Sequence, residues 1–205
     1  MINLKLPRVR CLAVVLAWVF LLFPTAAAFS ADEKPSPWLS KDGFFTEAGF
    51  ITGIGYGTVT EGNYLPVPLI VHLGTDTKRW FPSLREHRGI LTAFMEPQFN
   101  LVTGKDCDVE GGVAFGMKYR YPVTDVLSLY GLVSLGILYI TVTTVDQVNG
   151  FNFVDAVGVG VDYAVMPGVA LDLGFRLRHV SNANLRDPNN GIDTYMGTIG
   201  FMISY

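Results

Sequence analysis

Beyond its first 28 residues this chain of 205 residues has no apolar run approaching the ~20 residues a membrane-spanning helix needs. Only one cysteine, Cys107, lies past that point, which excludes a disulfide framework or a Cys/His metal cluster as the organising device. Cys107 reads as a loop residue in a polar stretch rather than as a nucleophile. Basic charge is scarce as well. Of the 15 Lys and Arg residues three fall in the first 28 positions, where none of the 18 Asp and Glu residues do, so the remainder carries a net charge of about −6. No basic field is left to recognise a nucleic-acid backbone, and nucleic acid is not an expected partner.

What is present begins with a leader. Lys5, Arg8 and Arg10 precede an apolar core from Cys11 to Phe23, and Thr25-Ala26-Ala27-Ala28 supplies small residues at cleavage positions. Residues 1–28 are therefore expected to be a signal peptide cut after Ala28, and the protein is expected to be exported. Residues 29–43, polar and proline-containing, read as a periplasmic lead-in. Half of the chain is hydrophobic. High apolarity without helical spans, in an exported chain, points to a transmembrane β-barrel, whose closed sheet pairs every backbone group in lipid.

The pattern over 44–205 supports that reading. Ala48, Phe50, Thr52, Ile54 and Tyr56 alternate with Glu47, Gly49, Gly53, Gly55 and Gly57. Since no helical pattern follows, the glycine series reads as small inward residues rather than a nucleotide loop. Further strands are expected at about 65–75, 89–102, 109–121 and 127–145, a sixth after Asn149-Gly150, a seventh from Val169 after a Pro167-Gly168 turn, and an eighth at the carboxy terminus. Pro66 and Pro68 weaken the second, and Glu96-Pro97 suggests a bulge in the third. The expected fold is an all-β, eight-stranded antiparallel barrel of the outer-membrane type, with short turns after strands four and six and longer loops elsewhere. An interior this narrow is filled by side chains, which disfavours a solute channel. The last strand ends on the aromatic Tyr205, an ending similar to the signal read by the barrel-assembly machinery, a further expected partner. The reading leaves both a monomer and a homodimer open.

The seventh strand breaks its own rule. Val169, Leu171, Leu173, Phe175 and Leu177 form an oily row, opposite Asp172, Arg176 and Arg178, and the row then continues into His179 and Ser181. These two lie about 7 Å apart along one face of a strand. Asp193 has the parity of the outward-facing Tyr195. An acid, an imidazole and a hydroxyl are thus expected together on the lipid-facing side at the membrane boundary. Serine becomes a good nucleophile when a base takes its proton, and the base works best when a carboxylate fixes its tautomer. The competing reading takes the three as polar rim residues of a non-catalytic structural or surface-binding barrel. Asp172, Arg176 and Arg178 are expected to join Glu47, Glu110 or Asp162 in an internal ionic network, and His72 and His87 to have no partners.

The segment F-R-L-R-H-V-S-N-A-N-L-R-D-P-N-N-G-I-D, within Phe175–Tyr195, resembles the signature of the lipid A 3-O-deacylase family (PagL type, outer-membrane acyloxyacyl hydrolase-like). The resemblance implies an outer-membrane esterase acting on lipid A, or lipopolysaccharide, in the outer leaflet, without metal or organic cofactor. It implies His179 as general base, Ser181 as nucleophile, Asp193 as orienting acid and Asn182 as an oxyanion-hole residue. Two positions depart from the family pattern. Asp193 stands where glutamate is usual, so it must sit closer to His179. Asn184 stands where glycine is usual and a backbone N–H contributes to the oxyanion hole; asparagine tolerates such backbone angles better than most residues.

Overall fold

The computed structural model describes residues 39–104 and 107–205. The expected signal peptide and residues 29–38 of the expected lead-in lie outside them. Eight strands follow in order: β1 (Glu47–Val59), β2 (Gly62–Asp76), β3 (Ile90–Thr103), β4 (Cys107–Pro122), β5 (Leu127–Ile140), β6 (Gly150–Met166), β7 (Val169–Ser181) and β8 (Ile192–Ser204). Each pairs antiparallel with its sequence neighbour, and β1 closes the sheet against β8.

The alternation read from the sequence becomes an inside-out distribution of polarity. Outward-facing Ile54, Leu135 and Val159 are 61, 70 and 61% exposed, while inward-facing Glu96, Glu110 and Asp172 are at most 1% exposed. An apolar belt this extensive is stable only against lipid. The lumen is packed rather than open. In its middle, Arg176 grips Glu96 through both terminal nitrogens at 2.6 and 3.0 Å. Lys118 bridges Asp162 and Asp172 at 3.0 and 3.2 Å, Arg120 reaches Glu47 at 3.2 Å, and Arg178 reaches Glu110 at 2.6 Å. Buried charges need such partners, because each one left alone costs several kcal/mol. Towards the end of the barrel that carries His179, Tyr64, Val102, Val142 and Ile192 form an apolar plug.

Several expectations are corrected here. The ionic network is present, but Arg176 is held in it by Glu96, for which the sequence suggests only a bulge. Strand β3 runs through Glu96 and Pro97 in constant register with β4, so there is no bulge; the register shift lies between Ala164 and Met166. Pro66 and Pro68, which lack N–H donors, fall where β2 makes no ladder pairs with β1 yet keeps its pairing with β3. His72 does have partners: its Nε2 lies 3.0 Å from Glu47 and its Nδ1 2.9 Å from Glu96. Strand β5 ends at Ile140 rather than near Val145. Beyond it, the Thr144 hydroxyl accepts from the N–H groups of Asp146 and Gln147, and Val145 N–H goes to Glu61. Those side-chain bonds take up the backbone donors a continuing ladder would use. At the His179 end the connections after β1 and β3 are short, and only 141–149 and 182–191 are long. At the opposite end the connection 77–89 is long and carries two 3-10 turns.

Candidate active site

Antiparallel register brings the candidate acid and base face to face. His179 on β7 is the direct cross-strand partner of Asp193 on β8. Both project outward, and His179 Nδ1 lies 2.7 Å from Asp193 Oδ1. A carboxylate can only accept, so Nδ1 carries the proton and donates it. Nε2 has no partner among the described residues, the arrangement a general base requires. The aspartate reaches the ring because the register sets it directly opposite His179.

Ser181 lies two residues further along the same face of β7, at the last position of the strand and paired with Phe153 of β6. Its hydroxyl makes no hydrogen bond to His179 among the described residues. The structure therefore brings two of the three together and leaves the third adjacent, about 7 Å along the strand.

The next residues turn sharply. Ala183 and Asn184 both adopt left-handed backbone angles, with φ of 54° and 60°. Asn184 thus occupies the conformation that glycine adopts at least cost. Neither residue's N–H has an acceptor among the described residues. Asn182, fully buried, is committed elsewhere. Its side-chain amide donates to Arg186 O at 2.8 Å and its backbone N–H to Asn189 Oδ1 at 2.6 Å. Asn182 therefore braces the loop through its side chain, directly before the turn of Ala183 and Asn184.

The loop rests on the neighbouring connection. Asp146 accepts from Thr60 N–H at 2.5 Å and, through its backbone carbonyl, from Asn190 N–H at 2.8 Å. The Thr60 N–H above all, with help from Asn190 and the Thr60 hydroxyl, holds the Asp146 carboxyl below the ordinary aspartate range. Gln147, fully buried, accepts from Gly191 N–H at 3.2 Å. Gly191 lies directly against the imidazole: a Cβ there would stand 2.5 Å from His179 Cε1 and 3.1 Å from Nε2, and its φ of +79° favours glycine as well. The ring occupies space only glycine leaves free.

Sequence reasoning missed these supporting residues, and it missed Asp155. This exposed, outward carboxylate on β6 is the cross-strand partner of His179 on the side away from Asp193. The signal was legible: Asp155 interrupts the oily row of Phe151, Phe153 and Val157 as His179 interrupts its own. Gly191, Gln147 and Asn189 carried no such signal, because their roles depend on the path of two loops.

A family model described as Lipid A 3-O-deacylase (PagL) matches residues 70–202, more than half of the chain and all of this site. The chain belongs to the lipid A 3-O-deacylase (PagL) family. Among solved structures, the outer membrane enzyme PagL aligns with a TM-score of 0.54 at 20% identity, covering 76% of this chain and 99% of that one. Neisserial surface protein A aligns with a TM-score of 0.53 at 14% identity, covering 78% and 96%. At such identities the likeness to both is one of fold. No curated protein matches the sequence. The chain is thus an outer-membrane-type barrel of a deacylase family.

Proposed function

We infer that this protein is a serine esterase that removes the 3-O-linked 3-hydroxyacyl chain of lipid A. The observation that carries the reading is the 2.7 Å His179–Asp193 contact on the outward face, beside Ser181, in a chain of the PagL family. With the site end of the barrel at the cell surface, the reacting groups stand in the outer leaflet, where the ester lies.

Ser181 Oγ attacks the ester carbonyl while His179 Nε2 takes its proton. Asp193 holds the Nδ1–H and stabilises the imidazolium that forms. Negative charge gathers on the carbonyl oxygen, and the N–H groups of Ala183 and Asn184 are the donors offered to it, with Asn182 and Asn189 fixing the turn that presents them. The imidazolium returns its proton to the departing 3-hydroxyl of the sugar, leaving an acyl-serine. Water, deprotonated by the same nitrogen, then releases the fatty acid. The attack requires the Ser181 hydroxyl to swing into hydrogen-bond reach of Nε2, a contact that tightens when substrate is bound.

The test is mass spectrometry of lipid A from cells making the folded protein. Loss of one 3-hydroxyacyl chain, abolished in Ser181→Ala, supports the reading; unchanged lipid A beside well-folded protein sinks it. A second reading, a non-catalytic surface barrel, draws on the absence of a Ser181–His179 hydrogen bond and predicts that unchanged lipid A.

A further inference from the structure

The end of the barrel that carries the site is acidic. Glu61, Asp108, Asp146 and Asp187 occupy its connections and their flanks, and Asp155 and Asp193 stand on either side of His179. Among the described residues of those connections Arg186 is the one cation. By sequence those connections hold one further basic residue, Lys105 after β3, so the described part of this surface offers a phosphorylated lipid carboxylates and Arg186.

Arg186 is also held in place at both ends. Its carbonyl accepts from the side-chain amide of the buried Asn182, and its N–H reaches the same side chain's oxygen at 3.4 Å. Asn182 follows Ser181 directly, so the backbone of Arg186 is tied to the nucleophile's own turn. At the other end, Nη1 donates to Asn149 O at 3.1 Å, beside Gly150. Gly150 lies three residues outward along β6 from Phe153, the partner of Ser181, or about 10 Å. The remaining guanidinium donors, Nε and Nη2, have no acceptor among the described residues. The result is a planar cation pre-positioned against Asn149, at the end of β6 about 10 Å along the strand from the level of Ser181, with N–H groups of the kind that binds phosphate oxygens.

We propose that Arg186 binds a phosphate on the sugar headgroup of the lipid substrate and so sets the ester of that sugar at Ser181. The proposal rests on the esterase reading. It makes Arg186 a binding and specificity residue that leaves the proton transfers unchanged.

The experiment uses the full chain in neutral detergent micelles. Three probes are compared: a 2,3-diacylated glucosamine 1-phosphate, its dephosphorylated counterpart, and a neutral p-nitrophenyl acyl ester. The wild type should cleave the phosphorylated sugar lipid about tenfold faster, in kcat/KM, than the dephosphorylated one. Arg186→Gln should erase that ratio and leave the p-nitrophenyl ester rate unaltered, and Arg186→Lys should restore part of it. An unchanged ratio in Arg186→Gln overturns the proposal. So does an equal fall on all three probes, which would make Arg186 a brace for the loop. A binding arm separates this from failure of the esterase reading. In a Ser181→Ala background the phosphorylated lipid should still bind about tenfold more tightly than the dephosphorylated one, and Arg186→Gln should remove the difference, whether or not any ester is cleaved. Equal binding of the two lipids with Arg186 present overturns the proposal.

Discussion

His72 and His179 both lie against carboxylates at hydrogen-bond distance, and the contrast between them separates scaffold from chemistry. His72 is enclosed in the lumen with both ring nitrogens engaged, 3.0 Å from Glu47 and 2.9 Å from Glu96. Saturated in this way, it joins β1, β2 and β3 and has nothing left to offer a substrate. His179 stands on the outward face with one nitrogen engaged, 2.7 Å from Asp193, and the other without a partner among the described residues. The same side chain is a strut where every group is satisfied and a candidate base where one is not. The surrounding residues differ accordingly: the lumen pairs charges tightly, while the rim holds its imidazole with a glycine, a buried glutamine and two loops.

The sharpest way to break that contrast is to remove each imidazole in turn. His179→Gln, like Ser181→Ala, should lower lipid A deacylation by roughly 10³-fold or more. His72→Gln should leave turnover per folded barrel unaltered, measured on refolded protein in micelles. Comparable losses at the two positions would abolish the distinction. Next in size, Glu96→Ala strips partners from both Arg176 and His72 and should cost about 3–5 kcal/mol of stability, read by urea unfolding in detergent. Turnover of the fraction that remains folded should hold, which places the lumen outside the chemistry. Gly191→Ala pushes a methyl into the His179 ring and should reduce kcat by about 10- to 100-fold, while its left-handed backbone angle costs only about 1–2 kcal/mol of stability. Retained activity there would mean that the ring's present position is not the working one.

The smallest effect concerns pH. Because Asp146 is held below its ordinary range, its hydrogen bonds stabilise the loops above the ordinary aspartate pKa of about 3.9 and fade as pH falls below it. Hydrogen exchange at the Thr60 amide, which donates to the carboxylate, should be protected throughout pH 5–8, lose protection only below the ordinary aspartate value of about 3.9, and lack it at all pH values in Asp146→Ala. Protection in that variant matching the wild type would remove Asp146 from the support of the site.

Much of this was legible in the chain because a β-barrel writes its geometry at short range. Side chains alternate every residue, so the period-2 rows of β1, β4, β6 and β7 assigned each residue to lipid or lumen before any contact was known. The same parity put His179, Ser181 and Asp193 on one face. It could equally have found Asp155, had the oily row of β6 been read from Phe151. Register and loop path were not legible. Whether Arg176 meets Glu96 or another carboxylate depends on which inward positions share a level, and a one-residue slip would change every pair. Asn182 turned out to brace its loop because Arg186 and Pro188 return beneath it, a contact that arises only once 182–191 is folded.

By itself, then, the sequence determined a closed sheet in lipid, its strand count, the faces of its strands and the placing of His179, Ser181 and Asp193 on one outward face. Those follow from local alternation and from the cost of leaving backbone groups unpaired in hydrocarbon. Only the tertiary structure decided that Asp193 lies directly opposite His179, that Gly191 makes room for the ring and that Arg186 is tied to Asn182 and Asn149. These are relations between segments distant along the chain, set by inter-strand register and by one loop resting on another.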